Sequence, residues 1–384
     1  MSDNSVRNAA NDAVELTQTL LRMNTINPPG NEDQCTMYLA ELLSAAGYDC
    51  RLVDFAPHRS TLVARIGGHP DKPPICFTGH VDVVPLGTAP WRYDPFGAEI
   101  MGDKLYGRGS SDMKSGVAAF TIAAIAVADE IKDSAGLTLI ITAGEEIGCE
   151  GAFHLAGLKD VAEIIGKAGA LVVAEPTSNE PMVGHKGALW LKASATGVTA
   201  HGSMPEAGDN AIYKIARAAL AMEEFNFSTP AHTLMGQGTL NVGTARGGLN
   251  INSVPDAAEM TIDIRTVAGQ DHGQIWQCLC NRMGSGIGLQ TLLDIDSVFT
   301  EPDNPWIQTV FARCQPLFDS PLKPKTISYF TDAAALRGPL GMPPTVILGP
   351  GELDMAHQTD EFCYVARIGE AEKLFRHIML DWNK

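Results

Sequence analysis

Short runs of apolar residues alternate with longer helical segments along most of the chain. The clearest runs contain four to six residues each, and they are Pro74–Thr78, Leu137–Thr142, Ala170–Ala174 and Thr345–Leu348. Continuous apolar runs of this length are typical of strands that are buried on both faces of a parallel sheet. Their alternation with helices predicts an α/β fold, in which helices flank a mixed, mostly parallel sheet.

Four segments in this part of the chain are predicted to be helices. One is rich in alanine and begins at Asp112, and another ends at Gly47, where glycine adopts the left-handed backbone of a helix C-terminus without strain. The predicted helices run from about Val6 to Met23, Glu32 to Ala46, Asp112 to Glu130 and Val365 to Trp382.

The pattern changes in the middle of the chain, where apolar and polar residues alternate. Strands are predicted at His185–Gly197, Thr239–Thr244, Ala258–Thr266 and Leu289–Phe299, and helices at Asn210–Phe225 and Gln270–Met283. The order β-α-β-β-α-β is the pattern of a ferredoxin-like α+β module. We therefore expect an inserted domain at residues 181–293 and a discontinuous domain at residues 1–180 and 294–384.

Histidines and carboxylates follow the predicted parallel strands. His80, Glu145, Glu146 and Glu175 come within a few residues of a strand, and His357 follows the last one through a short loop. Binding sites of open α/β sheets lie beyond the carboxyl ends of the strands. Two imidazoles and several carboxylates suit a divalent ion such as zinc. These residues and Asp112 supply more ligands than one tetrahedral ion takes, which favours two ions that share a bridging carboxylate.

Two further carboxylates suit roles beside the metals. Adjacent residues at a strand end point in different directions, so one member of the Glu145–Glu146 pair can bind metal while the other acts as a general base. Asp82 lies two residues after His80, where it can accept a hydrogen bond from the second imidazole nitrogen.

Each of these residues also has an ordinary structural interpretation. A Glu-Glu pair is common on a solvated surface, Asp82 can form a turn before Pro85, and His357 can be structural. Asp112 can cap its helix, although Ser110 or Ser111 could do the same. Glu175 can simply end its strand.

Composition excludes several classes of partner. The chain has 384 residues, of which 45% are hydrophobic, and a formal net charge of −17. Nucleic acid and anionic membrane surfaces attract clustered lysine and arginine, so neither is expected as a partner. The sequence shows neither a membrane span nor a signal peptide at its polar N-terminus. The eight cysteines lack the spacing of a disulfide framework, which indicates a reducing cytoplasm.

Taken in order, these segments closely resemble the M20 family of metallopeptidases over nearly the whole chain. Within that family they resemble the branch that contains acetylornithine deacetylase and succinyl-diaminopimelate desuccinylase. The matching motifs are Gly79–Pro85, Trp91-x-x-Asp94-Pro95-Phe96, Leu105–Gly109, Asp112–Lys114, Glu145–Gly148, Glu175–Thr177, Gly349–Gly351 and Ala356–His357.

The resemblance implies a role for each candidate residue. One metal is expected on His80 and Glu175, and the other on Glu146 and His357, with Asp112 as the bridge. Glu145 is expected to be the general base, with Asp82 as the partner of His80.

The resemblance also implies that the inserted module is a lid and dimerisation domain. His201 matches a histidine that reaches the partner's site in the dimer and stabilises the oxyanion of the tetrahedral intermediate. Asn252 and Arg265 match positions linked to substrate binding, and a guanidinium suits a substrate carboxylate. The loop with Gly349 and Gly351 can bring backbone amides close to a ligand.

The expected function is hydrolysis of the amide bond of a small N-acyl amino acid by two divalent ions. Zinc is the default ion, and cobalt or manganese also suits carboxylate-rich sites. Related M20 hydrolases act on dipeptides, on carbamoyl groups or by deamination, and these stay open as alternatives, although the carbamoyl branch usually has a different sequence around its bridging aspartate. A non-catalytic binding protein would be expected to have lost a ligand or the base, and this chain retains them all.

Overall fold

The computed structural model describes residues 12–69 and 71–384, and these form two compact units. The first unit contains the described residues up to Gly184, together with Phe299–Lys325 and Thr331–Lys384. The second unit contains His185–Val298 and Thr326–Phe330. The sequence pattern did not predict that the chain comes back to the second unit at Thr326–Phe330.

The strands are numbered in chain order across both units. They are β1 (Asp49–Ala56), β2 (Arg59–Ile66), β3 (Ile75–His80), β4 (Ile100–Met101), β5 (Lys104–Tyr106), β6 (Leu137–Thr142), β7 (Ala170–Val173), β8 (Gly184–His185), β9 (Gly187–Thr196), β10 (Thr239–Gly247), β11 (Ala257–Thr266), β12 (Ile287–Ile295), β13 (Val298–Phe299), β14 (Thr345–Ile347) and β15 (Phe362–Tyr364).

The helices are numbered in the same way. They are α1 (Ala13–Leu21), α2 (Asp33–Ala45), α3 (Lys114–Ile131), α4 (Glu150–Ala156), α5 (Val161–Ile165), α6 (Ala211–Glu223), α7 (His272–Met283), α8 (Pro305–Cys314), α9 (Ala333–Leu336) and α10 (Val365–Trp382). Residues 6–11 of the first predicted helix lie outside the described residues.

The first unit is built on a six-stranded sheet in the order β1-β2-β6-β3-β7-β14. Strands β6, β3, β7 and β14 are parallel to one another, whereas β2 pairs in an antiparallel manner with both β6 and the edge strand β1. Every residue of β3 and β6 is buried, as the continuous apolar runs predict. The mixed, mostly parallel sheet is therefore confirmed, while the β1–β2 hairpin is an addition to the predicted strands.

Helices α3 and α10 pack against each other and contribute to the core of this unit. Phe77 of β3 contacts Phe120 of α3 and Phe375 of α10, with ring centroids 6.2 and 5.3 Å apart. Gly116 of α3 lies directly against the residue that follows β7, because a Cβ atom at this position would be 2.2 Å from the carbonyl oxygen of Ala174. The helix can approach the strand that leads to Glu175 only because this residue is glycine.

The second unit contains an antiparallel four-stranded sheet in the order β10-β11-β9-β12. Helices α6 and α7 cover one face, and their core includes Leu191, Ile215, Ile262 and Leu279. Residues of β11 alternate between buried and partly exposed positions, as expected of a sheet with a single covered face. This arrangement confirms the ferredoxin-like prediction.

The described helices include none that is long and apolar enough to cross a membrane. All eight cysteines are free thiols. Five are buried, in agreement with the prediction that most act as small apolar residues: Cys35, Cys76, Cys149, Cys314 and Cys363.

Two glycines in helices provide a matched test of the packing at Gly116. Gly369 of α10 has open space around a Cβ atom, so Gly369→Ala is expected to stabilise the protein by about 0.5–1 kcal/mol through helix propensity. Gly116→Ala is expected to destabilise it by about 1–3 kcal/mol, because the methyl group overpacks against the Ala174 carbonyl. Urea denaturation measures both values. Equal stabilisation by the two substitutions would contradict the close contact.

Candidate metal centre

The candidate ligands of the first unit lie beyond the carboxyl ends of adjacent parallel strands. His80 is the last residue of β3, and Glu175 is two residues beyond β7. Glu145 and Glu146 follow β6 after a short turn, and His357 lies in the loop that follows β14. Because β6, β3, β7 and β14 are consecutive in the sheet, these loops converge on one edge.

Asp112 comes from outside the sheet, in the turn that precedes α3. The sequence predicted that Asp112 opens this helix, but α3 begins at Lys114, and the residue at its N-cap position is Met113, without a capping side chain. Neither Ser110 nor Ser111 caps the helix in its place. The Asp112 carboxylate is therefore available for another purpose.

The two oxygens of Asp112 face the two histidines. Asp112 Oδ1 lies 3.2 Å from His80 Nε2, and Oδ2 lies 3.4 Å from His357 Nε2. Glu146 Oε2 lies 2.9 Å from the same His357 nitrogen. A carboxylate between two imidazoles has the geometry that a bridging ligand requires.

The other two carboxylates surround His80. Glu175 Oε1 is 3.8 Å and Glu145 Oε2 is 3.9 Å from His80 Nε2. Ligand atoms of His80, Glu145 and Glu175 lie within 4.8 Å of one another, as do those of His80, Asp112 and Glu146. The structure therefore brings all the metal ligands and the base that were predicted in this unit into one cluster.

The cluster concentrates negative charge in a buried place. The side chains of Asp112, Glu145, Glu146 and Glu175 are 11%, 7%, 5% and 4% exposed. Burial raises the pKa of Glu145 and Glu175 well above the ordinary value, and that of Glu146 to about 7. Four carboxyl groups cannot all ionise here unless cations accompany them.

The same carboxylates raise the pKa values of the two histidines. Hydrogen bonds to Asp112 and Glu146 raise the pKa of His357 to about 10. Burial opposes the charged form of His80, but Asp112 and Asp82 still raise its pKa well above the ordinary value. Their imidazoles lower the pKa of Asp112 against the effect of burial.

The donor set fits divalent cations. Within residues 12–69 and 71–384, no lysine or arginine forms an ion pair with the four carboxylates of the cluster. Glu146 Oε1 is buried and has no hydrogen-bond partner among the described residues. Two imidazoles and clustered carboxylate oxygens without a basic partner form the site that zinc, cobalt or manganese prefers.

Asp82 has a wider role than its spacing from His80 indicated. The ring nitrogen Nδ1 of His80 is 3.0 Å from the backbone oxygen of Asp82 and 3.5 Å from its Oδ1. The buried carboxylate also accepts hydrogen bonds from the amides of Glu145 and Glu146, at 3.1 and 3.2 Å. It thereby fixes the backbone of the Glu145–Glu146 pair, and Asn27 Nδ2 holds it in turn at 2.9 Å.

Sequence reasoning missed another carboxylate near the base. Asp332 precedes α9, is 2% exposed and accepts a hydrogen bond from the Thr142 hydroxyl. Burial raises the pKa of Asp332 to about 6. Its segment follows no predicted strand, so the rule that located the other carboxylates gives no signal here.

The remaining predicted residues belong to the second unit. His201 Nδ1 accepts a hydrogen bond from the Ser203 amide at 3.2 Å, and the Gly202 amide donates to the Asn252 carbonyl at 2.7 Å. Arg265 forms an ion pair with Asp263 at 2.9 Å. The structure thus places His201 beside Asn252, and it places Arg265 on β11.

Gly349 and Gly351 lie in the first unit beside the metal cluster. The Gly349 amide donates a hydrogen bond to Thr177 Oγ1 at 3.1 Å, so this amide already has a partner within the protein. A Cβ atom at Gly349 would be 2.5 Å from the Glu175 carbonyl oxygen, and one at Gly351 would be 2.1 Å from that of Ser111. These glycines let the loop pack against two ligand segments, and their contact with substrate stays a prediction.

Comparisons with family models and with known proteins point to the same family. The model of peptidase family M20/M25/M40 matches residues 76–381. A Staphylococcus epidermidis protein named probable succinyl-diaminopimelate desuccinylase is 30% identical, with 91% of this chain and 93% of that protein covered. An acetylornithine deacetylase of Vibrio cholerae is 29% identical, with 87% of each chain covered.

Solved structures share the fold. An M20 family metallo-carboxypeptidase from Sulfolobus solfataricus superposes with a TM-score of 0.77 at 18% identity, covering 97% of this chain and 99% of that one. An aminopeptidase from Bacillus cereus gives a TM-score of 0.75 at 20% identity, covering 98% and 99%. The chain belongs to the M20/M25/M40 family of peptidases and is a metal-dependent hydrolase.

Proposed function

We propose that this protein hydrolyses the amide bond of a small N-acyl amino acid. The observation that carries the proposal is Asp112, whose two oxygens face His80 and His357 while Glu145 and Glu146 approach from one turn. The names of the relatives, a desuccinylase and a deacetylase, support an acyl group on an amino acid amine.

The ligands divide between two divalent cations. His80 and Glu175 would hold one cation, and Glu146 and His357 the other, with Asp112 shared between them. Zinc is the proposed ion because imidazole and carboxylate ligands suit it, and cobalt or manganese is compatible with the same set. When bound, such ions polarise a carbonyl and lower the pKa of water.

Glu145 is the proposed general base. It is adjacent in the chain to the proposed ligand Glu146, and its Oε2 lies 3.9 Å from His80 Nε2. Burial raises the pKa of Glu145 well above the ordinary value, which suits a carboxylate that takes up a proton. The Glu145 carboxylate takes a proton from the attacking water and transfers it to the leaving amine. Asp82 holds the Glu145 amide and thereby sets the direction of this side chain.

The second unit is proposed to form a homodimer, as its resemblance to a dimerisation domain supports. Strand β10 lies at the edge of its sheet, so its outer backbone groups are available for pairing. Leu220, Leu249 and Ile251 are exposed apolar residues of the same unit. We place the protein in the cytoplasm, since its eight thiols are free.

The test of the proposed function is amine release from a panel of N-acetyl, N-succinyl, N-formyl and dipeptide substrates. Metal-loaded and chelated protein are assayed side by side. Metal-dependent release from one N-acyl group is the expected result and names the acyl specificity. Activity confined to dipeptides, or ammonia as the product, would replace the proposal with one of the alternative reactions.

Metal binding should stabilise the fold, because the ions neutralise the carboxylate cluster. Adding Zn²⁺ to chelator-treated protein, at about 100 times the Kd of a site, is expected to raise the free energy of unfolding by about 2.7 kcal/mol for each site filled. His357→Ala should lose most of the gain that belongs to its own site. His58→Ala is the control, since this exposed side chain pairs with Asp33 away from the cluster. Thermal unfolding with and without zinc measures the difference, and equal gains in both variants would contradict the assignment of His357.

Glu145→Gln separates the base from the ligands. The amide keeps the shape of the side chain but cannot accept a proton, so kcat is expected to fall by about 10²–10⁴-fold. Metal content, measured by elemental analysis, should not change. Glu180→Gln is the matched control, because Glu180 pairs with Lys325 at the surface. Loss of metal together with activity would make Glu145 a ligand instead of the base.

His201 is proposed to stabilise the oxyanion in the site of the partner subunit. Its Nδ1 lies 3.2 Å from the Ser203 amide nitrogen and 2.7 Å from Ser203 Oγ. Both Ser203 groups can donate to Nδ1, which leaves Nε2 to carry the proton that His201 would donate to the oxyanion. His201→Ala is expected to lower kcat by about 10²–10³-fold.

A mixing experiment tests whether this residue acts across the dimer. Subunit exchange between Glu145→Gln and His201→Ala proteins creates mixed dimers in which one site has both residues intact. Activity should therefore return on mixing. A mixture that stays as inactive as its two components would show that His201 acts within its own chain or not at all.

A further inference from the structure

We propose that Arg108 and Glu361 are positioning residues that lock two metal-ligand segments together. We define the Asp112 turn as Gly107–Asp112 and the His357 segment as Ala356–Glu361. Each segment carries one member of the pair and one proposed ligand. The inference rests on the proposed function, because it concerns how those ligands are held.

Glu361 reaches from the His357 segment into the Asp112 turn. Its Oε1 accepts hydrogen bonds from the amides of Ser111 and Asp112, at 2.8 and 3.0 Å. Its Oε2 accepts one from the Gly109 amide at 3.0 Å. The carboxylate is fully buried, so it acts as an internal anchor for three backbone donors of the turn.

Arg108 reaches in the opposite direction. Its Nη1 donates to Glu361 Oε2 at 2.7 Å and to the Gln358 carbonyl at 3.2 Å. Its Nη2 lies 3.4 Å from the carbonyl oxygens of His357 and Pro85. The guanidinium is 2% exposed and stacks on Trp91, so it ties the His357 segment to the Asp112 turn and to the loop after His80.

His357 needs such support because it has little packing of its own. Its side chain is 53% exposed, and its backbone has a φ of +63°, in the left-handed region that residues other than glycine rarely adopt. The imidazole therefore depends on its backbone for its direction, and Arg108 holds the His357 carbonyl. In the same way, Glu361 holds the amide of Asp112.

The arrangement links two ligands that no strand of the sheet carries directly. His80 belongs to β3 and Glu175 follows β7 closely, so the sheet itself positions them. Asp112 and His357 lie in loops, and their mutual placement is fixed by the buried pair. The metal held by Glu146 and His357 should consequently depend on Arg108 and Glu361 more than the metal held by His80 and Glu175.

The test is metal titration of Glu361→Gln by competition with a chelator. A glutamine cannot accept all four donors, because its amide group would face N–H groups. We expect one of the two metal equivalents to bind about 10–100-fold more weakly, the range for residues that orient ligands, with the other equivalent less affected. Arg108→Lys should produce the same loss, because a single ammonium cannot reach the Glu361, Gln358 and His357 oxygens together.

Val310→Ala is the control for stability. Val310 is buried in α8, and its truncation lowers the unfolding temperature without touching a ligand segment. It should leave both metal affinities unchanged. An equal loss of metal affinity in Val310→Ala, or unchanged affinities in Glu361→Gln and Arg108→Lys, would overturn the inference.

The wild-type titration separates this inference from the proposed function. If wild-type protein binds no divalent metal, the proposed function fails. If it binds two equivalents and both variants bind them equally well, only the positioning role fails. If Glu361→Gln does not fold, the Arg108→Lys titration decides the question alone.

Discussion

The repulsion among buried carboxylates is the constraint on which the rest of this centre depends. Asp112, Glu145, Glu146 and Glu175 lie so close around two imidazoles that their full ionisation requires cations. The fold has to hold these groups together against that repulsion in the absence of metal. The structure does so with buried carboxylates that are not themselves ligands: Asp82 and Glu361 accept hydrogen bonds from the backbone amides of Asp112, Glu145 and Glu146.

The sheet and the loops share this task unequally. Three consecutive parallel strands, β6, β3 and β7, deliver histidine and glutamate side chains to one edge, and the direction of each strand fixes where its ligand begins. Loops contribute the remaining ligands, and their positions depend on side chains that reach between segments. Rigid elements therefore provide one half of the centre, and a buried network of charged groups provides the other.

Much of this could be predicted from the sequence, because periodicity identifies buried strands and the residues that follow them. That rule located His80, Glu145, Glu146, Glu175 and His357. It could not find Asp332 or Glu361, whose importance comes from contacts with residues distant in the chain. It also missed the β1–β2 hairpin, since charged and polar residues interrupt the apolar residues in both strands. The return of Thr326–Phe330 to the second unit was missed as well.

The order of the ligands along the chain has a consequence for how the protein is made. His80, Asp112, Glu145, Glu146 and Glu175 are synthesised before the second unit, whereas His357 and Glu361 follow it. A ribosome therefore exposes an incomplete, strongly acidic half-centre while more than a hundred further residues are added. Strand β14 and the loop that carries His357 close the centre afterwards, so its maturation is a late event in biosynthesis.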